Sequence, residues 1–359
     1  MAPAEKPVIK SERLTSFTLQ PRSGESIPDF CRRFAARFFE RGETPVHIQA
    51  FGECQASAAV SAALKEAFEQ AECPITWVEG TGCNRHPIAG LQAHAFTGVV
   101  ERLTFQRRVI GSVFMDGGAW QCVVGGVTAD DKTLPYADQT RQAFDNLQSV
   151  LAAAGFDLAD TVRTWFFLDK ILSWYHQFNQ VRTEVYSGLK FRTGFLPAST
   201  GVGAKNPADT ALALAAWAFR PQGATACAEE VTSPLQSPAP NYGSYFSRAM
   251  EISSGTGRRL FISGTASIEL GGKTLWTGDV RKQVGQAMDV VAAILQSRGF
   301  GFADLSRATA YFRRPADVSA FSEWLVANGL YKLPVISTHC DICRDDLLFE
   351  LEAEAATDK

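Results

Sequence analysis

The chain has 359 residues, 46% of them hydrophobic and 20% charged, which is enough apolar material for two or three domain-sized units. Its 35 Lys and Arg against 38 Asp and Glu leave a net charge of −3, so no nucleic acid or other polyanion is expected as a partner. The start, MAPAEKPVIKSERL, is charged and broken by prolines, unlike a signal peptide, and no later stretch is long enough to span a bilayer. A cytoplasmic protein without membrane contact is expected, its eight cysteines reduced.

In chain order, the first pattern runs from Thr44 to Thr104: a strand VHIQAFGE, a helix SAAVSAALKEAFEQA and a strand ITWVEG. A hairpin-like pair of strands, VFMDGGAWQCVVGGV, follows. The segment from Tyr136 then places Ala143, Leu147, Val150 and Leu151 at helical spacing, and Gly155 stops the helix. Next come a β-rich run TVRTWFFL, an aromatic helix WYHQFNQVRTEVYSGL and a closing strand ALALAAWAF. The stretch ATACAEEVTSPLQSPAPNYG, rich in Pro, Ser and Ala, predicts a linker. Beyond it the series repeats: strands in RRLFISGTASIELGGKTLW, a helix placing Ala287, Val290, Val291 and Ile294 on one face, a stop at Gly299, the run LSRATAYF, the helix DVSAFSEWLVANGL and the strand LLFELEAEA.

The two series are copies. Gln142 and Gln286, Gly155 and Gly299, and Asp160 and Asp304 are each separated by 144 positions (286 − 142, 299 − 155, 304 − 160). The Thr44 to Thr104 pattern reads as a third, eroded copy whose second helix is not obvious. The predicted units are residues 1–104, 105–222 and 223–359, each an α+β unit with helices covering one face of a mixed sheet.

These units resemble the Rid/YjgF family (chorismate-mutase-like α+β units), small subunits that form trimers with ligand sites in the clefts between neighbours. The resemblance is carried best by the lead-in APNYGSYFSRAM, the strand LFISGTASI, the helix GDVRKQVGQAMDVVAAIL and the strand LLFELEAEA. It implies tandem units folded as a pseudo-trimer in one chain. More narrowly, FRTGFLPASTGVGA, ISGTASI and CDICRDDLLFELEAE are similar to the chorismatases, which remove pyruvate from chorismate, and closest to the branch forming 3- and 4-hydroxybenzoate. Cys343, seven residues before Glu350, carries that last match, whereas Ala266 stands where members making 3-hydroxybenzoate alone are expected to have Gly.

In FELEAEA the side chains alternate, so Glu350 and Glu352 share one strand face and Phe349 and Leu351 the other. The corresponding strand ALALAAWAF holds no carboxylate, which sheet architecture alone does not explain. As a catalytic group Glu350 would be a general acid, its pKa raised by burial, protonating the enolpyruvyl methylene; its other reading is an edge-strand glutamate in a surface ion pair. The resemblance makes Cys343 an active-site group steering the product, against the ordinary reading of a small thiol filling a core.

A substrate with two carboxylates calls for guanidinium groups and backbone donors. Arg163, Arg192 and Arg344 are the candidates; Arg163 has a repeat partner in Arg307 and so can equally be a structural residue of each unit, while Arg192 has none. Ser199, Thr200 and Gly201, in a glycine-rich stretch read as a turn, are further substrate-binding candidates, with Ala266 and with Tyr245, which matches a cleft tyrosine of the Rid family. His339, Cys340 and Cys343 lack a second ligand pair, so no metal is expected, and the polar chemistry that the resemblance implies requires no cofactor. The arginine with which Rid deaminases hold an imine acid is missing after Pro197 and after Pro334. The expected function is chorismate cleavage by a monomer or small homo-oligomer; a hydrolase giving a dihydroxy-cyclohexadiene carboxylate, and a Rid-type deaminase or small-molecule binding protein, are the alternatives.

Overall fold

The computed structural model describes residues 13–80 and 86–358; most of the N-terminal segment on which the location reading rests lies outside them. Three sheets follow one another along the chain. The first is made by β1 (Leu14–Leu19), α1 (Ile27–Arg41), β2 (Thr44–Gly52), α2 (Ser57–Ala67), β3 (Ile75–Glu79) and β4 (Ile88–Phe96), with strand order β1-β4-β2-β3. The second comprises β5 (Glu101–Phe105), β6 (Arg108–Asp116), β7 (Ala119–Val127), α3 (Tyr136–Ala153), β8 (Thr161–Leu168), α4 (Ile171–Ser187), β9 (Ala198–Gly203) and β10 (Leu212–Pro221), in the order β5-β6-β7-β10-β8-β9. The third has β11 (Cys227–Val231), β12 (Ala249–Ser253), β13 (Gly257–Ala266), α5 (Val280–Ser297), β14 (Leu305–Phe312), α6 (Val318–Ala327), β15 (Val335–His339) and β16 (Phe349–Asp358), in the order β11-β12-β13-β16-β14-β15. The second and third orders are identical, and the first is the same frame without the two leading strands.

Local chemistry sets the helices. Ser26 Oγ accepts the Asp29 N–H to start α1, Pro28 sits in its first turn, and Gly42 ends it in the left-handed region at φ +62°. Phe30, Phe34 and Phe38 then fall on one face and bury against β2 and β4. In α5, the Asp279 carboxylate accepts the Lys282 N–H, and Gly299 closes the helix at φ +74°, as Gly155 does after α3. The helices cover the outer faces, forming separate cores with each sheet. The inner faces meet in a shared core that includes Phe51, Trp165, Trp217, Phe261 and Tyr311.

Three expectations change. The helix lacking from the first copy is the first one, α1, which precedes the Thr44 pattern; the SAAVSAAL helix is the second. The predicted linker contains β11, an edge strand paired with β12. STGVGA is no turn: it belongs to β9, which pairs in parallel with β8, just as β15 pairs with β14. Small residues suit β9 because a neighbouring unit crosses close to it; a Cβ at Gly203 would lie 2.7 Å from both the Asp341 and Ile171 side chains.

Candidate active site

Strand β16 alternates as its sequence requires. Phe349, Leu351 and Ala353 pack beneath the helices of the third sheet, and Glu350, Glu352 and Glu354 point inwards, only 4%, 2% and 2% exposed. Three buried acids in a row need compensation. Glu354 has it: His94 Nε2 lies 2.7 Å away, Arg259 3.3 Å and Arg307 3.4 Å. Burial opposes ionisation there, but His94 and the two guanidinium groups hold this carboxyl well below the usual carboxylate range. Burial also pushes His94 itself down to about 4, so the imidazole is neutral and donates Nε2–H, and the arginines supply the countercharge. Glu352 forms ion pairs with Arg163 at 2.7 Å and Arg307 at 2.9 Å.

Glu350 is different. It has no hydrogen-bond or ion-pair partner among the described residues, and its carboxyl is pushed up to about 8, first by burial and then by the Glu352 carboxylate, with Arg163 and Arg248 pulling the other way. Gly264 makes room for it: a Cβ there would stand 2.0 Å from Glu350 Oε1. The Gly264 N–H donates to Thr200 Oγ1 (3.1 Å), which also accepts from Arg163 (2.6 Å), tying the wall beside Glu350 to the Glu352 ion pair.

Glu350 borders a cleft between the second and third sheets, of volume ≈50 Å³. The second unit supplies Tyr175 and Arg182 from α4, which are seven residues apart and so share a helix face, and Ser199 and Gly201 from β9. The third supplies Ser244, Phe246 and Arg248 from the segment leading into β12, Ala266 and Ile268 at and just beyond the end of β13, and Cys343 and Arg344 before β16. Tyr242 closes the mouth, hydrogen-bonded through its hydroxyl to Arg248.

Three arginines therefore reach the cleft, and none forms an ion pair among the described residues. Arg182 is 2% exposed; one Nη donates to Asn179 Oδ1 at 2.6 Å, its guanidinium stands over the Phe178 and Phe246 rings, and its Nε has no partner. Arg248 is 4% exposed, donating to the Ser237 carbonyl at 3.1 Å and standing over the Tyr242 and Phe246 rings. Arg344, half-buried, donates to the Gly272 carbonyl at 2.7 Å. Buried cations are normally paired, so this arrangement is suited to receiving anionic groups. The Cys343 thiol is pushed up to about 12, chiefly by burial and then by Glu350, which makes it a neutral group rather than a nucleophile.

Of the residues singled out in the sequence, Glu350, Cys343, Arg344, Ser199, Gly201 and Ala266 come together here. Thr200 lies one layer behind, holding the Gly264 backbone and Arg163. Arg163 does not face the cleft; it is 1% exposed, spent on Glu352 and Thr200, and stacked 4.6 Å from the Trp165 ring. Arg192 lies elsewhere: its side chain is 55% exposed and pairs with Asp157 and Asp160, both at 2.7 Å. Tyr245 packs against the core of the second sheet, and its neighbours Ser244 and Phe246 face the cleft instead. The sequence reading missed Arg182 and Arg248. An arginine among the apolar positions of the buried α4 face, between Phe178 and Tyr186, was the available signal for Arg182.

The family model described as Endoribonuclease L-PSP matches residues 119–212, from β7 to the start of β10. With the strand order of this second sheet repeated in the third and, without its two leading strands, in the first, the chain is built of three tandem α+β units, the middle one of which matches this model. It is 28% identical to a chorismatase of Streptomyces hygroscopicus over 276 residues, covering 70% of this chain and 77% of that protein. It is 28% identical to a 3-hydroxybenzoate synthase of the same organism over 244 residues, 60% and 69% of the two chains. A chorismatase crystal structure superposes with a TM-score of 0.66 at 19% identity, over 96% of this chain and 99% of that one, which speaks to the fold. The chain is thus similar to chorismatases over most of its length and has the fold of one. Among the described residues no helix is long and apolar enough to cross a membrane.

Proposed function

We propose that this chain cleaves the enolpyruvyl ether of chorismate, releasing pyruvate and 3-hydroxybenzoate, 4-hydroxybenzoate or both. The observation that carries the reading is a buried carboxyl group without a hydrogen-bond or ion-pair partner among the described residues, pushed up to about 8 by burial and set at the base of a cleft whose buried arginines have no acid partner. Chorismate offers what such a cleft lacks, two carboxylates on a small ring. Arg182 and Arg248 are placed to take one each, with Arg344 at the mouth and the Ser199 hydroxyl at the wall; two charge-assisted contacts of this kind fix the ring in orientation as well as in place. The cleft is narrower than the ~300 Å³ or more of typical small-molecule sites, so binding moves Tyr242 and Arg344 outward.

Glu350 then gives its proton to the terminal methylene of the enolpyruvyl group. The adjacent carbon becomes oxocarbenium-like, the C–O bond to the ring weakens, and Glu350 is left as a carboxylate flanked by Arg163 and Arg248. Departure of pyruvate, assisted by the neighbouring ring hydroxyl, and loss of a ring proton give the aromatic product. The atoms balance, because chorismate is the sum of pyruvate and a hydroxybenzoate. Cys343 and Ala266 belong to one small apolar cluster at the wall and, as neutral small groups, shape the space in which the ring intermediate rearranges.

Incubation with chorismate tests the reading, with pyruvate followed through lactate dehydrogenase and ring products separated by chromatography. The expected result is pyruvate and hydroxybenzoate in equal amounts. A dihydroxy-cyclohexadiene carboxylate in place of the aromatic product would assign the hydrolytic reaction, and no pyruvate would overturn the reading.

A further inference from the structure

The same fold should build three clefts, and their fates differ. Strand register aligns them. In the third sheet Ala249 pairs with Ile262 and Ile262 with Ala353; in the second Gly111 pairs with Val124 and Val124 with Ala216. Residues before the first helix therefore correspond at an offset of 138 (262 − 124) and the last strands at 137 (353 − 216). Thr128 takes the place of Ala266, Ile110 that of Arg248, Arg108 that of Phe246, and Ala213 that of Glu350. The pairings Phe51 with Gly90, Phe167 with Ala213 and Tyr311 with Glu350 bring the first sheet into the alignment and put Gly90 at the third equivalent position.

The cleft at Gly90 is filled. A Cβ there would meet Ile336 Cδ1 at 2.7 Å, and the Gln20 side chain and Thr18 hydroxyl bond to the Val335 and Pro334 carbonyls across the gap. The cleft at Ala213, between the first and second units, stays open, with a volume of ≈360 Å³. Ile75, Trp77 and Ala213 supply apolar surface, and the Trp77 indole is fixed by its hydrogen bond to the Gly52 carbonyl at 3.2 Å. Ser57, Ser61 and Thr128 contribute hydroxyls. Among the described residues no acid lines the cleft, and the one cation there, Arg108, has no hydrogen-bond or ion-pair partner.

We infer that this second cleft is a non-catalytic binding site for an aromatic monocarboxylate, a hydroxylated benzoate being the best-fitting class. One arginine meets one carboxylate, where the catalytic cleft presents three arginines. The flat ring lies along Trp77, Ile75 and Ala213, and ring hydroxyls find Ser57, Ser61 or Thr128. Nothing turns over there, because Ala213 has no proton to give. The inference does not require chorismate to be the substrate of the other cleft.

The test is calorimetric titration with 3-hydroxybenzoate of the full chain and of three variants. Arg108→Met alters an exposed side chain, Ser61→Phe plugs the cleft from α2, and Arg248→Met disables the catalytic cleft. Binding at the second cleft should persist in Arg248→Met and be lost in Ser61→Phe, and Arg108→Met should weaken it by about tenfold or more, the loss of one charge-assisted contact. Pyruvate release from chorismate by Arg108→Met should match that of the unaltered chain, so failure of this inference is distinguishable from failure of the chorismate reading. No binding, or binding indifferent to both Arg108→Met and Ser61→Phe, overturns it.

Discussion

The middle and C-terminal units share a strand order, a helix pair and inward-facing sheet surfaces, yet only the C-terminal one sets an unpaired carboxyl, Glu350, at its cleft. Where β16 carries Glu350, Glu352 and Glu354, the register of β10 puts Ala213, Ala215 and Trp217. Where Arg248 directly precedes β12, the equivalent position is Ile110 of β6. Along this strand the middle unit presents alanine and tryptophan to the shared interior, and the C-terminal unit presents a row of acids. Two of those, Glu352 and Glu354, are neutralised by arginines, and the third is left without a partner. The difference teaches that the paired acids are part of the device: Glu352, held beside Glu350, is one of the groups that keep it protonated.

The sharpest way to break the comparison is to remove the proton while keeping the shape. Glu350→Gln should lower the rate of pyruvate release by about 10²–10⁴-fold, the usual share of a general acid, with circular dichroism unchanged. Full activity in that variant would end the mechanism. Arg248→Ile, which installs the residue of the middle unit, should cost roughly 100-fold in kcat/KM, expressed mainly in KM, since it removes charge-assisted contacts to a bound carboxylate.

A third expectation concerns pH. With Glu350 titrating at about 8, kcat/KM should fall tenfold per pH unit above that value. Stability follows the same group. The folded chain binds one more proton than the unfolded chain between about 4.5 and 8, so this contribution declines as pH rises through that window, and Glu350→Gln should abolish that part of the slope in urea unfolding. The smallest effect on turnover belongs to Cys343→Ala, which should change the ratio of ring products seen by chromatography while leaving pyruvate release within about threefold, comparable to the loss of a single packing contact.

Much of this was legible in the sequence because it follows from periodicity. The constant 144-residue spacing located the paired helices, and alternation in FELEAEA put Glu350 and Glu352 on one face. The arginines were less legible. A single offset cannot align the strands before the first helix, where six fewer positions separate the copies (144 − 138), and so Arg248 and its counterpart Ile110 were never compared. The lack of a repeat partner favoured Arg192, but it sits on the surface with Asp157 and Asp160, where an unmatched side chain costs nothing. Arg182 was hidden by its element, since an arginine in a helix ordinarily lies on the solvated side; only the packing of α4 against the third unit turns it inward. The extra residues after β13 form the turn around Gly272 that anchors Arg344, a feature without a pattern in the sequence.

The most direct test of the account is infrared difference spectroscopy of the protonated carboxyl stretch, comparing the unaltered chain with Glu350→Gln as pH is raised from 5 to 9. The account requires a protonated signal that is present at pH 7, titrates near 8 and is missing from the variant. A Glu350 carboxylate already ionised at pH 6 would contradict it.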